Sequence, residues 1–371
     1  MEKRKYSLKT VIITAGACLS FIIGAGTVSG QEIIQFLDSF GYWGIGGCVI
    51  ALVLYTWYTE SLLRIGYEQN TQTSLQAFQY LLGKKLGYVF EYATVVLVFL
   101  IFVVMLSGAG STVTQYTGIP ELYGRIIVTA IVLIVALLGL EKLVEIIGYV
   151  GPVIIVLGTL IGLVSTIQNW DGFAAAGEAV ERLELARPYG INSWWISAIA
   201  YVAFTVVIAV PFYTKLGSTM PQKLEAVSSG VIVGIAFMCV AGSLYFGMLC
   251  SIEEVYDLAI PTLALAQKIS PLFATLFAVL SLLAMLSTAI PLCWTVCEKV
   301  SGGKSKLRYR ICAVVVCIIG FFGALFPFGD IINTVYPFIG VLGFIVMIGM
   351  FYRRYINKGS SPRNTEEVTE K

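Results

Sequence analysis

The sequence predicts an all-α polytopic membrane protein, and three observations carry that expectation. Hydrophobic residues make up 58% of the 371-residue chain, charged residues only 12%, and the mean hydropathy is +0.86. A soluble domain needs a charged exterior that this composition cannot supply. The apolar residues gather into ten runs, each long enough at about 20 residues to cross ~30 Å of hydrocarbon. The chain also contains no histidine, which removes a histidine proton relay and argues against a metal centre.

The runs cover residues 10–38, 42–64, 87–116, 122–140, 143–168, 192–214, 224–250, 271–297, 309–327 and 330–352. The first is read as a span rather than a cleavable signal, because its apolar stretch is too long and no clear cleavage site precedes Glu32. With the N-terminus in the cytoplasm, twenty Lys and Arg fall inside and only Arg125, Arg182, Arg187 and Lys268 outside. An odd number of spans would put Arg353 and Arg354 outside and spoil that bias. Both termini are therefore expected in the cytoplasm, the residues from Gly359 onward as a disordered tail.

Between the spans, Leu75, Phe78, Leu81, Leu82 and Leu86 recur at helical spacing, so 71–86 reads as a short amphipathic surface helix. On the outside, 169–192 and 251–270 are long enough for partial lids, the second broken at Pro261. Trp194 and Trp195 fit an interfacial aromatic belt. The run Gly302-Gly303-Lys304-Ser305 lacks the glycine a phosphate-binding loop needs at 298, where Glu stands. All the cysteines except Cys250 lie in apolar spans, where cysteine serves as a small hydrophobe. Cys293 and Cys297 share a helix face without a further ligand in sequence, which reads as packing. A net charge of +2, with basic residues in short clusters, points to no nucleic acid. The expected partners are the bilayer and a small solute, with no obligate protein partner evident.

The most informative stretch is Ile22-Ile23-Gly24-Ala25-Gly26-Thr27-Val28-Ser29-Gly30-Gln31-Glu32. Each glycine in a continuous helix costs up to ~1 kcal/mol relative to alanine, and a carboxylate at membrane depth costs several more. Backbone that leaves the helix inside a bilayer survives only where it is buried in protein or lines a cavity. A break beside Gln31 and Glu32 therefore reads as a binding site; the alternative is a tight helix crossing using Gly26 and Gly30. Glu32 favours the site. Glu60, Glu91 and Glu145 lie nearer the cytoplasmic ends, where Arg64, Lys84 or Lys142 are at hand to pair with them.

Ten spans with Ile23-Gly24-Ala25-Gly26 in the first and Ala284-Met285-Leu286-Ser287-Thr288 in the eighth resemble the LeuT-fold transporters of the amino acid, polyamine and organocation superfamily. Gly24-Ala25-Gly26 followed by Ser29-Gly30-Gln31-Glu32 is similar, more narrowly, to the YkvI-like family of bacterial membrane proteins. The resemblance covers residues 8–354 and implies a single transporter domain in the bacterial plasma membrane. Two five-helix repeats of inverted topology, 8–168 and 192–354, would each begin with a discontinuous helix, the first and the sixth. Ala200–Thr205 in the sixth lacks glycine, and its one evident breaker is Pro211.

What the resemblance implies for function is cation-coupled symport of a small amino-acid-like or organic-cation solute by alternating access. A sodium ion, with no other cofactor, would sit on carbonyls of Ser20 and Ile23 and on oxygens of Ala284, Ser287 and Thr288. The i, i+3, i+4 spacing puts the last three on one helix face, although such hydroxyls also bond back to their own backbone. For the solute, amides near Gly24, Ala25, Gly26 and Thr27 suit a carboxylate, and Ser29, Gln31 and Glu32 add polar contacts. Ser107 and Ser111 supply hydroxyls from the third span, and Tyr201 and Phe204 an aromatic wall from the sixth; helix packing accounts for these equally well. A non-transporting sensor of the same fold, as in spore-germinant receptors, is the other reading. Enzymatic motifs such as HExxH or Gly-x-Ser-x-Gly are absent.

Overall fold

The computed structural model describes residues 6–23, 25–138, 150–301 and 305–356. Gly24, Lys142, Glu145 and the expected tail at 359–371 lie outside them. The described chain is helical throughout. The first predicted span comprises α1 (Leu8–Ile22), α2 (Ala25–Ser29) and α3 (Gln31–Phe36), followed by a 3-10 turn at Asp38–Phe40. Next come α4 (Trp43–Gln69), α5 (Ser74–Leu82), α6 (Lys84–Thr117), α7 (Glu121–Leu138), α8 (Val150–Gln168) and α9 (Trp170–Leu183). The second half holds α10 (Trp194–Ser218), α11 (Lys223–Leu249), α12 (Ile252–Val255), α13 (Pro261–Ile269), α14 (Pro271–Ser301), α15 (Lys306–Gly323) and α16 (Phe328–Phe351).

Among the described residues, α4, α6, α10, α11, α14 and α16 are long and apolar enough to cross a membrane. The α8 and α9 helices meet at a 92° bend and make a seventh span if counted together. At the other predicted spans stand shorter helices: α1 has 15 residues, and α7 and α15 have 18 each.

Local signals set many helix ends. Ser7 caps α1 by accepting from the Thr10 amide, and Thr73 with Gln76 forms a capping box on α5, the helix expected at 71–86. Gly118 ends α6 in the left-handed conformation, φ 76°, and Pro261 opens α13 at its first position.

The sixth segment corrects an expectation. Helix α10 runs unbroken from Trp194 to Ser218 with Pro211 inside it, so no second interruption is present. The residues explain this: Ala200–Thr205 contains no helix breaker, and Pro211 forfeits one backbone bond about two turns before the end.

Helices from the two halves pack on each other. Helix α4 lies against α10 and α11, α1 against α11, α6 along α14, and α7 against α15, while α10 and α16 pack together within the second half. Small residues permit these crossings. A Cβ on Gly217 would meet the Leu63 carbonyl at 2.1 Å, and one on Gly66 the Thr214 carbonyl at 2.1 Å, so α4 and α10 touch backbone to backbone. Such proximity replaces the hydrophobic drive that lipid does not supply.

Candidate functional site

The first segment leaves the helix twice within eight residues. Helix α1 ends at Ile22, and Ile23 takes φ −78°, ψ 88°, outside the helical region, while its N–H still donates to the Leu19 carbonyl. Helix α2 then ends at Gly30, which adopts φ 90° and lets α3 start in a new direction. A side chain at Gly30 would also strike the Met248 Cε at 2.1 Å.

This jog aims Glu32 back at α2. The Thr27 hydroxyl donates to Glu32 Oε2 at 2.6 Å, and the Tyr336 hydroxyl of α16 hydrogen-bonds the same carboxyl. Glu32 is only 2% exposed. Gly26 makes room for it: a Cβ there would lie 1.9 Å from Glu32 Oε1. Gly26 is thus required by the carboxylate, whereas Gly30 is required by the backbone.

An aromatic wall closes the cluster. Phe204 stacks on Tyr336 with ring centroids 4.4 Å apart, and Tyr201 and Phe204 both pack on Phe36 of α3. The Tyr201 hydroxyl is buried beside the Thr27 hydroxyl. Behind it, Tyr58 and Thr205 share a hydroxyl contact of 3.1 Å, and the Tyr55 hydroxyl donates to the Tyr201 carbonyl at 3.3 Å.

The expected residues divide into groups. Gly26, Thr27, Glu32, Tyr201 and Phe204 meet around one buried centre. Ala25 opens α2, and Gly24 lies outside the described residues. Ser29 donates to the Gly26 carbonyl at 2.8 Å, completing the turn rather than facing the centre. Gln31 points outward and donates to the Leu258 carbonyl. Ser107 donates to the Phe326 carbonyl at 3.2 Å, and Ser111 to Glu121 Oε1 at 3.0 Å, so both hydroxyls serve contacts away from Glu32.

For the expected cation ligands, Ser287 and Thr288 donate to the Ala284 carbonyl at 2.6 and 3.1 Å, and Ser20 donates to the Gly16 carbonyl at 2.9 Å. This is the back-bonded arrangement, which leaves the hydroxyl lone pairs available to accept or to ligate. Ser20 lies in the last turn of α1, and Ile23 follows its end. Helix α14 packs on α2 at the far side of the break. A narrow apolar cleft of about 10 Å³ lies there between Ile23, Thr27 and Phe277.

Several residues of the site gave little sequence signal. Tyr336 is one of 20 tyrosines and lies more than 300 residues from Glu32 in sequence. Gln115 grips the main chain of the outer connection: its amide donates to the Ile260 carbonyl at 2.7 Å and accepts from the Ile260 N–H at 2.8 Å. With the Gln31 bond to Leu258, this fastens the segment before α13 over α3, where 251–270 was expected to form a lid. Gln35 donates to Gly329 at 3.1 Å and joins α3 to α16. Asp38 is 0% exposed and neither carboxyl oxygen has a hydrogen-bond partner. A polar side chain near the end of an apolar run is the one hint that marks Gln115 and Asp38.

Away from this centre, Glu60 pairs with Arg64 and with Arg354, and Glu91 with Lys299 rather than Lys84. Cys293 lies 4.0 Å from Cys297 and 3.8 Å from Cys317, sulfur to sulfur, yet no group of three metal-ligating side chains converges among the described residues.

No protein-family sequence profile matches the chain. It is 22% identical to the uncharacterised membrane protein YkvI of Bacillus subtilis (strain 168), over 86% of this chain and 89% of that one. It is 23% identical to the uncharacterised protein YyaD of the same organism, over 92% and 96%. Among solved structures, MhsT in complex with L-phenylalanine superposes with a TM-score of 0.61 at 15% identity, covering 91% of this chain and 88% of MhsT. A manganese transporter mutant of Eremococcus coleocola gives 0.56 at 13% identity over 94% and 80%. Mhp1 in an inward-facing conformation gives 0.53 at 15% over 93% and 77%. These neighbours are LeuT-fold transporters, not enzymes, and the chain is a membrane protein that shares their fold.

Proposed function

We propose that this protein is a secondary active transporter that moves a small solute across the bacterial plasma membrane by alternating access. The observation that carries the reading is the non-helical backbone at Ile23 beside a buried carboxyl, Glu32, held by Thr27 and Tyr336. A broken helix presents main-chain groups at mid-membrane that nothing in lipid satisfies, which suits a site for an ion or polar solute. The fold shared with MhsT and Mhp1 supports it. We take the helices to cross ten times with both termini in the cytoplasm, the two five-helix halves being inverted repeats; the pairing of α4 with α11, α6 with α14 and α7 with α15 supports that symmetry.

The solute we assign is amino-acid-like or an organic cation, its amine or cationic group opposite Glu32 and its apolar part against Tyr201 and Phe204. The coupling ion is sodium, on carbonyls of Ser20, Ile23 and Ala284 with the hydroxyls of Ser287 and Thr288. Proteoliposomes holding the purified protein test this. An inward sodium gradient should drive uptake from a mixture of radiolabelled amino acids and amines, and Ser287→Ala with Thr288→Ala should weaken sodium dependence at least tenfold without loss of folded protein. Uptake driven equally by a proton gradient alone, with the double variant unchanged, would refute the sodium site.

A further inference from the structure

The end of the molecule where α14 finishes and α15 begins carries a feature that transport does not use. An apolar groove of about 580 Å³ opens there, with Phe99 of α6 and Ile311, Val315 and Ile319 of α15 along it and Arg308 at one end. The three α15 residues recur at i, i+4 and i+8 and are 56%, 46% and 54% exposed, so one helix face lies open along the groove. Arg308 and its neighbours Lys306 and Arg310 make no ion pair among the described residues, whereas nearby Lys299 is held by Glu91. The groove thus joins a guanidinium with no ion pair among the described residues to a strip of exposed hydrocarbon.

We propose that this groove binds an anionic phospholipid, its phosphate against Arg308 and one acyl chain along Phe99, Ile311, Val315 and Ile319. The dimensions match: Arg308 to Ile319 rises about 16 Å along α15, close to half of a ~30 Å hydrocarbon core. The charge matches as well, because a guanidinium offers a fork of donors to phosphate oxygens and is stronger there than a point charge. Basic pockets between membrane helices attract anionic headgroups for this reason. A free phosphate would use only the Arg308 end and leave the apolar strip bare.

The test is binding by full-length protein, delipidated in a neutral detergent, read by melting temperature and by native mass spectrometry. Phosphatidylglycerol should raise the melting temperature and stay bound, phosphatidylcholine of the same acyl chains should bind at least tenfold more weakly, and glycerol phosphate at equal concentration should do nothing. Arg308→Gln should weaken phosphatidylglycerol about tenfold while Arg308→Lys retains part of the preference. Val315→Trp, which fills the groove, should weaken both lipids. Equal affinity for the two lipids in the wild-type protein, stabilisation by glycerol phosphate alone, or an Arg308→Gln variant that binds like wild type would each overturn the proposal.

Discussion

Glu32 and Asp38 are both buried carboxyls at one end of the same segment, and they differ in what meets them. Two hydroxyls converge on Glu32, so Glu32→Gln exchanges one acceptor oxygen for a donor and sets it against an O–H. That mismatch should cost about 1–3 kcal/mol and show as a lower melting temperature together with lost uptake. Asp38→Asn breaks no side-chain hydrogen bond, because the Asp38 carboxyl makes none. Its melting temperature should stay within the range of a ~0.5 kcal/mol change or rise, and a clear fall would contradict the environment described here. Gly26→Ala should displace the Glu32 carboxyl and reduce uptake severalfold, whereas Gly242→Ala, with nothing within 4 Å of the added methyl, should leave uptake unchanged. Glu32 stood out in the sequence because a charge inside hydrocarbon is conspicuous. Tyr336 did not, since a tyrosine in an apolar helix is ordinary until the fold brings it to a partner.

At the scale of elements, the amphipathic helix α5 and the start of α13 followed from periodicity and from Pro261, signals that are local and survive folding. The expected break in the sixth segment did not, because it came from analogy with related folds while the residues Ala200–Thr205 spoke for a continuous helix. The lid is held through Gln115 and Gln31. Gln115→Ala removes both bonds to Ile260, and amide hydrogen exchange across 256–262 should accelerate about tenfold or more, with exchange in α10 unchanged. Exchange at wild-type rates would mean that the apolar contacts of α13 hold the lid unaided.

For the whole molecule, the orientation proposed above rests on the charge bias of the connections, a signal that composition and span count alone supply. A cysteine placed at Ser305 should react with a membrane-impermeant maleimide only from the cytoplasmic side, and one at Tyr189, which is 78% exposed, only from outside. The reverse pattern would invert the assignment. The two ends of the bundle are also closed by different mixtures of bonds. The segment before α13 is fastened by neutral glutamine amides on main-chain groups at Leu258 and Ile260, and the ion pairs Arg182–Glu253 and Lys268–Glu254 stand beside it. The opposite end is tied by ions: Glu60 to Arg354, Glu91 to Lys299 and Glu68 to Lys223. Dissolved salt weakens exposed ion pairs more than buried ones and leaves amide bonds nearly untouched. Ionic strength therefore acts at both ends of this molecule, most on the exposed pairs at Glu253 and Glu254, while the glutamine clasps on Leu258 and Ile260 keep their hold in any salt.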